Sequence, residues 1–183
     1  TLTFAVLVSA AWSVAAVGKH LDARRSVLTI LVLIWAGRLG FYLGRRIKKV
    51  GKDGRFDAIK QNTAQFLMAW TLQGVWTFLT SLPVLLIVTA SKPGPPLTWI
   101  DFIGWGLWAI GMSIEVIADA QKDRFRVRAD KETEWIDEGL WSLAQHPNYF
   151  GEILLWTGLF VSGLHLYSGI AWLSVLSPLF VYV

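Results

Sequence analysis

Four charged residues lie within, or one turn from the end of, stretches that are otherwise apolar: Arg38, Glu115, Asp119 and Glu152. A charge in such a setting is costly unless it is paired or serves a site, so these four head the list of functional candidates. Glu115 and Asp119 are four residues apart, and Lys122 and Arg126 continue the same helical face at the next two turns. The stripe has two readings. It is either a helix end solvated by water and headgroups, or a polar wall that binds the ribose hydroxyls and phosphates of a nucleotide. Glu115 favours the second, because it sits about one turn deeper in the apolar run than Asp119.

The richest segment runs Gly139-Leu140-Trp141-Ser142-Leu143-Ala144-Gln145-His146-Pro147-Asn148-Tyr149-Phe150-Gly151-Glu152. Pro147 suits the first turn of a helix, where its missing N–H costs nothing, so a helix is expected to begin there with unpaired amides that favour an anion. On that helix Asn148 lies four residues, and Tyr149 three residues, before Glu152. An amide, a phenol and a carboxylate are therefore expected to converge. His146 stands just outside, within reach of a phosphate or a ring edge. The alternative is a capped helix in which the asparagine and histidine satisfy backbone groups.

These side chains need a scaffold, and composition says which kind. Hydrophobic residues make up 54% of the chain and charged residues 16%, with a mean hydropathy of +0.48. That is too apolar for a water-soluble domain of this length. Apolar runs at about residues 1–17, 27–43, 64–90, 99–118, 150–164 and 169–183 predict an all-α polytopic transmembrane bundle of about six spans. It is read as one transmembrane domain over 1–183. Residues 1–17 have no basic leader and read as a first span, not a signal peptide. The chain begins and ends inside apolar runs, so it is expected to be truncated at both ends. Pro83 predicts a kink in the third run, and Lys92-Pro93-Gly94-Pro95-Pro96 predicts a hairpin after it.

The basic residues set the orientation. Twelve fall in the two segments that follow the second and fourth runs. Four fall on the alternate side, namely Lys19, Arg24, Arg25 and Lys92. Residues 44–62 and 120–147 are therefore expected in the cytoplasm, the second as a folded, interfacial loop carrying Phe125, Trp135 and Trp141. The net charge of +4 follows this pattern and points to anionic lipid, not nucleic acid. With no cysteine and three scattered histidines, thiol chemistry, disulfides and a histidine metal site are excluded or improbable on composition. Gly104-Trp105-Gly106-Leu107-Trp108-Ala109 has the letters of a dinucleotide fingerprint, but it lies inside a span with no strand before it. Small-residue helix packing explains it better, and the same reading is given to Gly40 and Gly44. No P-loop, HExxH or Ser-His-Asp arrangement supports a hydrolase.

Glu115 to Arg126, followed by Gly139-Leu140-Trp141 and His146-Pro147-Asn148-Tyr149-Phe150-Gly151-Glu152, resembles the steroid 5-alpha-reductase superfamily. The closer likeness is to its bacterial membrane branch, grouped with the 3-oxo-5-alpha-steroid 4-dehydrogenase C-terminal domain. Arg38 to Tyr42, Arg55-Phe56-Asp57 and Ala118 to Lys122 extend the resemblance over most of the chain. It implies an NADPH-dependent reductase of a C=C bond in a steroid-like or other lipid enone, held in a helical bundle of the bacterial inner membrane. By position, Asp119, Arg126, Asn148 and Glu152 match residues that hold the dinucleotide. Trp141, His146 and Tyr149 match the motif of the related sterol reductases, and Glu115 stands where the steroid reductases have asparagine. The tyrosine that those enzymes place on the substrate carbonyl is matched here by Trp35, with no corresponding glutamate, so the proton donor is unassigned. The family's C-terminal tail, which closes the nucleotide site, would follow Val183. The His-Pro-x-Tyr segment also resembles membrane S-adenosylmethionine-dependent methyltransferases of the isoprenylcysteine carboxyl and phospholipid type, which is the alternative. A third possibility is a non-enzymatic lipid-binding bundle.

Overall fold

The computed structural model describes residues 9, 12, 22–50, 61–90, 92, 94–128 and 135–182. Five α-helices are described: α1 Ala23–Val50, α2 Thr63–Val88, α3 Trp99–Arg128, α4 Pro147–Val161 and α5 Leu176–Tyr182. Two 3₁₀ segments, Gly139–Ser142 and Gly169–Val175, precede α4 and α5. No strand occurs among the described residues.

Three helices, over Ala23–Lys48, Thr63–Val88 and Trp99–Arg128, are long and apolar enough to cross a membrane. The protein is thus a membrane protein with a helical bundle. The remaining apolar runs take other forms. The fifth becomes the 15-residue α4, and the sixth divides into the 3₁₀ stretch and the short α5. The first lies outside the described residues except for Ser9 and Trp12, both helical.

Helix ends follow local chemistry. α1 starts behind Asp22, whose carboxylate accepts from the Arg25 amide at 2.9 Å. α2 starts behind Asn62, whose side chain accepts from Ala64 N at 3.0 Å and Gln65 N at 3.2 Å. α4 begins at Pro147, as its ring predicts. α2 runs through Pro83 without ending. Beside that proline the Thr80 carbonyl accepts a bond from Ser177 Oγ at 2.6 Å, which ties α5 to α2. Two boundaries differ from expectation. α1 extends to Val50 and α3 to Arg128, so each carries its helix well into the adjoining polar segment.

The closest contact in the bundle is between α3 and α4, which run antiparallel. A Cβ on Gly104 would lie 2.5 Å from the Gly158 carbonyl oxygen, and one on Gly111 2.5 Å from that of Gly151. Two glycines seven residues apart on each helix therefore let the backbones touch, which fulfils the packing reading of Gly104. Gly44 does not follow that reading. It is exposed, and a Cβ there would meet nothing within 4 Å among the described residues, so the Gly40-Gly44 spacing marks no helix contact at Gly44. The core fills the space between α1 and this pair, with Trp35 edge-on to Trp156 at 5.2 Å, backed by Leu28, Val32, Leu155 and Leu159.

Candidate functional site

The α3/α4 contact aligns the polar faces of both helices, and α1 supplies their counter-charge. Arg38 Nη1 donates to Glu115 Oε1, and Arg38 Nη2 donates to Asp119 Oδ2. Nη2 also reaches the Glu115 carbonyl oxygen at 3.4 Å. One guanidinium thus spans a full turn of α3, a geometry that its planar fork allows and that a lysine could not reproduce. Asn148 Nδ2 on α4 approaches Asp119 Oδ1 at 3.5 Å, and half-buried Glu152 lies within electrostatic reach of Arg38 and Asp119. The Tyr42 ring, one turn along α1, stands 5.7 Å from the Arg38 guanidinium.

Depth follows from the helix rise. Trp99 opens α3 and is exposed, and Glu115 lies about 24 Å along the axis from it. With a hydrocarbon layer of roughly 30 Å, Asp119 falls near the far boundary and Glu115 about one turn inside. Both are buried, at 7% and 5% exposure. Three carboxylates gather around one arginine, so the cluster is acidic in formal charge. Two of its buried acceptor oxygens, Glu115 Oε2 and Asn148 Oδ1, have no hydrogen-bond partner among the described residues. What the cluster leaves open is therefore a pair of acceptors, suited to a ligand's hydroxyl or amide N–H.

The eight residues singled out from sequence separate into three groups. Glu115, Asp119, Asn148 and Glu152 come together. Trp141 is close by but closed: it is buried, its indole N–H donates to the Ala118 carbonyl at 3.0 Å, and the Lys122 ammonium lies 4.5 Å from its ring centre. With Leu140 N donating to Gln121 Oε1 at 3.0 Å, Trp141 clasps the 3₁₀ segment onto α3. Gly139, at φ 60°, sits against the Gln121 side chain, where a larger residue would be strained. The third group faces outward. His146 and Tyr149 are exposed, with their rings tilted against one another at 5.2 Å between centres, and Arg126 is exposed near the end of α3. Among the described residues no hydrogen bond joins Tyr149 to Glu152. Tyr149 instead pairs with the residue three positions before it, on the outer side of the α4 start.

Sequence reasoning flagged Arg38 as an in-span charge without giving it a place in the site, and it is the hub. Tyr42 carried no signal of its own. A second ionic cluster, at the opposite end of the bundle, went unnoticed. Arg24 Nε donates to Asp101 Oδ1 at 2.6 Å, and Arg24 Nη2 donates to Asp101 Oδ2 and to His165 Nε2, each at 3.0 Å. The available signal was Asp101 itself, an acid in the first turn of a span.

No curated protein and no solved structure matches the chain. A family model does, and because the match runs over residues 2–183 the chain belongs to the family described as protein of unknown function DUF1295, which is related to steroid 5-alpha-reductase-like proteins.

Proposed function

We propose that this protein is a membrane-embedded reductase that uses NADPH to reduce the C=C bond of a lipid enone. The observation that carries the reading is the Arg38-Glu115-Asp119 cluster with Asn148 and Glu152. It is built from the very residues through which the sequence resembles the steroid 5-alpha-reductases, at the common end of α1, α3 and α4. The residues present fit the nucleotide. Glu115 Oε2 and Asn148 Oδ1 would accept from ribose hydroxyls or the carboxamide, while exposed Arg46 and Arg126 lie on the outer side for the phosphates. Bound NADPH would supply the hydride. The chain's own contribution is to hold the ligand's donors on fixed acceptors, and to keep the acids in place through Arg38. The same reading includes six spans, with residues 44–62 and 120–147 on the cytoplasmic face of a bacterial inner membrane.

Detergent-purified protein tests it directly. NADPH at a hundred times its dissociation constant should stabilise the fold by about 2.7 kcal/mol in a thermal melt. Asn148→Ala and Glu152→Ala should each weaken NADPH about tenfold, or about 1.4 kcal/mol. If both variants bind NADPH as the parent does, the site assignment is wrong.

One observation favours the second reading. Three carboxylates against one guanidinium suit a cationic ligand, and S-adenosylmethionine carries a sulfonium. In a competition titration, tight binding of S-adenosylmethionine and none of NADPH would select the methyltransferase.

A further inference from the structure

Trp108 is 6% exposed, and its indole N–H has no acceptor among the described residues. It stands nine residues along α3 from Trp99, about 13 Å up the axis and so near the middle of a hydrocarbon layer of roughly 30 Å. A buried donor left unbonded at that depth is costly, because lipid offers no substitute for water. Trp105, one turn earlier on α3, presents a second buried indole N–H without an acceptor. Indole nitrogen donates and cannot accept, so both groups call for the same kind of partner. Trp108 shares its helical face with Glu115, which lies seven residues on and about 10 Å nearer the cytoplasmic end of α3. Between the two, Met112 is only partly buried, and its flexible thioether can give way to a ligand. Trp35, one turn inside Arg38 on α1, and Trp156, one turn inside Glu152 on α4, belong to the same core cluster as Trp108. An aromatic layer therefore lies one to two turns inside the ionic one.

We infer that Trp108 is a substrate-binding residue whose indole N–H grips the carbonyl oxygen of a lipid ketone, and that the site discriminates against the corresponding alcohol. A ketone oxygen only accepts, which is what a lone donor needs. A hydroxyl can accept as well, but it brings a hydrogen of its own that would be left unbonded in the aromatic layer. The apolar part of such a ligand finds Trp35, Met112 and Trp156 around it. Two helical turns between Glu115 and Trp108 leave room for a nicotinamide at the first and, about 3–3.5 Å from it, a C=C bond conjugated with the carbonyl at the second. The inference names the substrate class of the proposed reductase and rests on that reading only for the nucleotide's place beside Glu115.

The test uses the full chain in detergent, without nucleotide, titrated with a long-chain α,β-unsaturated methyl ketone and with the secondary alcohol made from it by borohydride. Affinity is followed by native mass spectrometry, and the carbonyl band of the bound ketone by infrared difference spectroscopy. The band should fall in frequency relative to the ketone in empty micelles, and the ketone should bind about tenfold more tightly than the alcohol. Trp108→Phe keeps an aromatic ring and removes the N–H. It should return the band to its micelle position and weaken the ketone about tenfold, with the alcohol unchanged. Trp105→Phe should leave the band lowered; if that variant returns it and Trp108→Phe does not, the assignment to Trp108 is overturned. An unshifted band in the parent protein overturns the proposal without any variant, as does equal affinity for ketone and alcohol. Because no nucleotide is present, failure of NADPH to bind would sink the reductase reading and leave this comparison standing.

Discussion

Arg38 holds two acids that belong to the same helix and, among the described residues, is the one cation in salt-bridge contact with them. Glu115 and Asp119 are both buried, so removing the guanidinium leaves unpaired charge in a setting that water reaches poorly. Arg38→Met should therefore cost about 3–5 kcal/mol in a thermal or chemical melt of the purified protein. Adding Glu115→Gln to that variant should restore part of the loss, because the acid that lost its partner is then neutral. A strictly additive double mutant would show that the two residues do not interact. In the sequence, Arg38 stood out as a lone charge in an apolar run, and Glu115 and Asp119 stood out as a helical pair. Their mutual attachment was not legible, since it joins positions 77 and 81 residues apart and depends on how α1 lies against α3. Trp141 shows the reverse. The motif marked it for the site, but its indole N–H is already engaged by the Ala118 carbonyl.

At the scale of the helix, the site depends on how closely α3 and α4 approach. A Cβ on Gly151 would lie 2.6 Å from the Gly111 carbonyl oxygen and 2.8 Å from Glu115 N, which is backbone that cannot swing aside. Gly151→Ala should thus separate the helices beside Glu115, with an overpacking cost of about 1–3 kcal/mol and weaker NADPH binding. At Gly106, two residues after Gly104, an added methyl group would meet nothing within 4 Å among the described residues. Gly106→Ala should be neutral or stabilising by up to about 1 kcal/mol through helix propensity. Equal losses from the two substitutions would refute the contact geometry. Local rules read this level well. Pro147 opens α4, the proline-rich hairpin separates α2 from α3, and Gly104 packs against its neighbour. At Gly44 the glycine spacing meets no helix among the described residues, because spacing alone does not say which face finds a partner. The local rules also did not foresee the contact of the Tyr149 ring with His146.

For the whole molecule, two ionic clusters lie at opposite ends of the bundle, and each joins α1 to α3. Orientation is open to direct measurement, because the chain has no cysteine. Single cysteines placed at Lys92 and Ala144, both exposed, mark the two ends. In intact cells an impermeant maleimide should label Lys92→Cys and leave Ala144→Cys untouched until the membrane is opened; the opposite pattern would invert the topology. The expected span count and loop sides rest on hydropathy and charge alone, whereas the cluster at Arg24 came only from the folded chain, because nothing local ties Arg24 to Asp101. That distance along the chain also governs how the protein is made. Arg24 and Arg38 both leave the ribosome 77 residues before the acid that neutralises them. At about 5–20 residues per second the delay is roughly 4–15 s. For that interval α1 carries two uncompensated cations, so it must wait at the translocon, beside water and protein, and can enter lipid only when α3 arrives. Birth order, and not only final packing, is thus written into these two pairs.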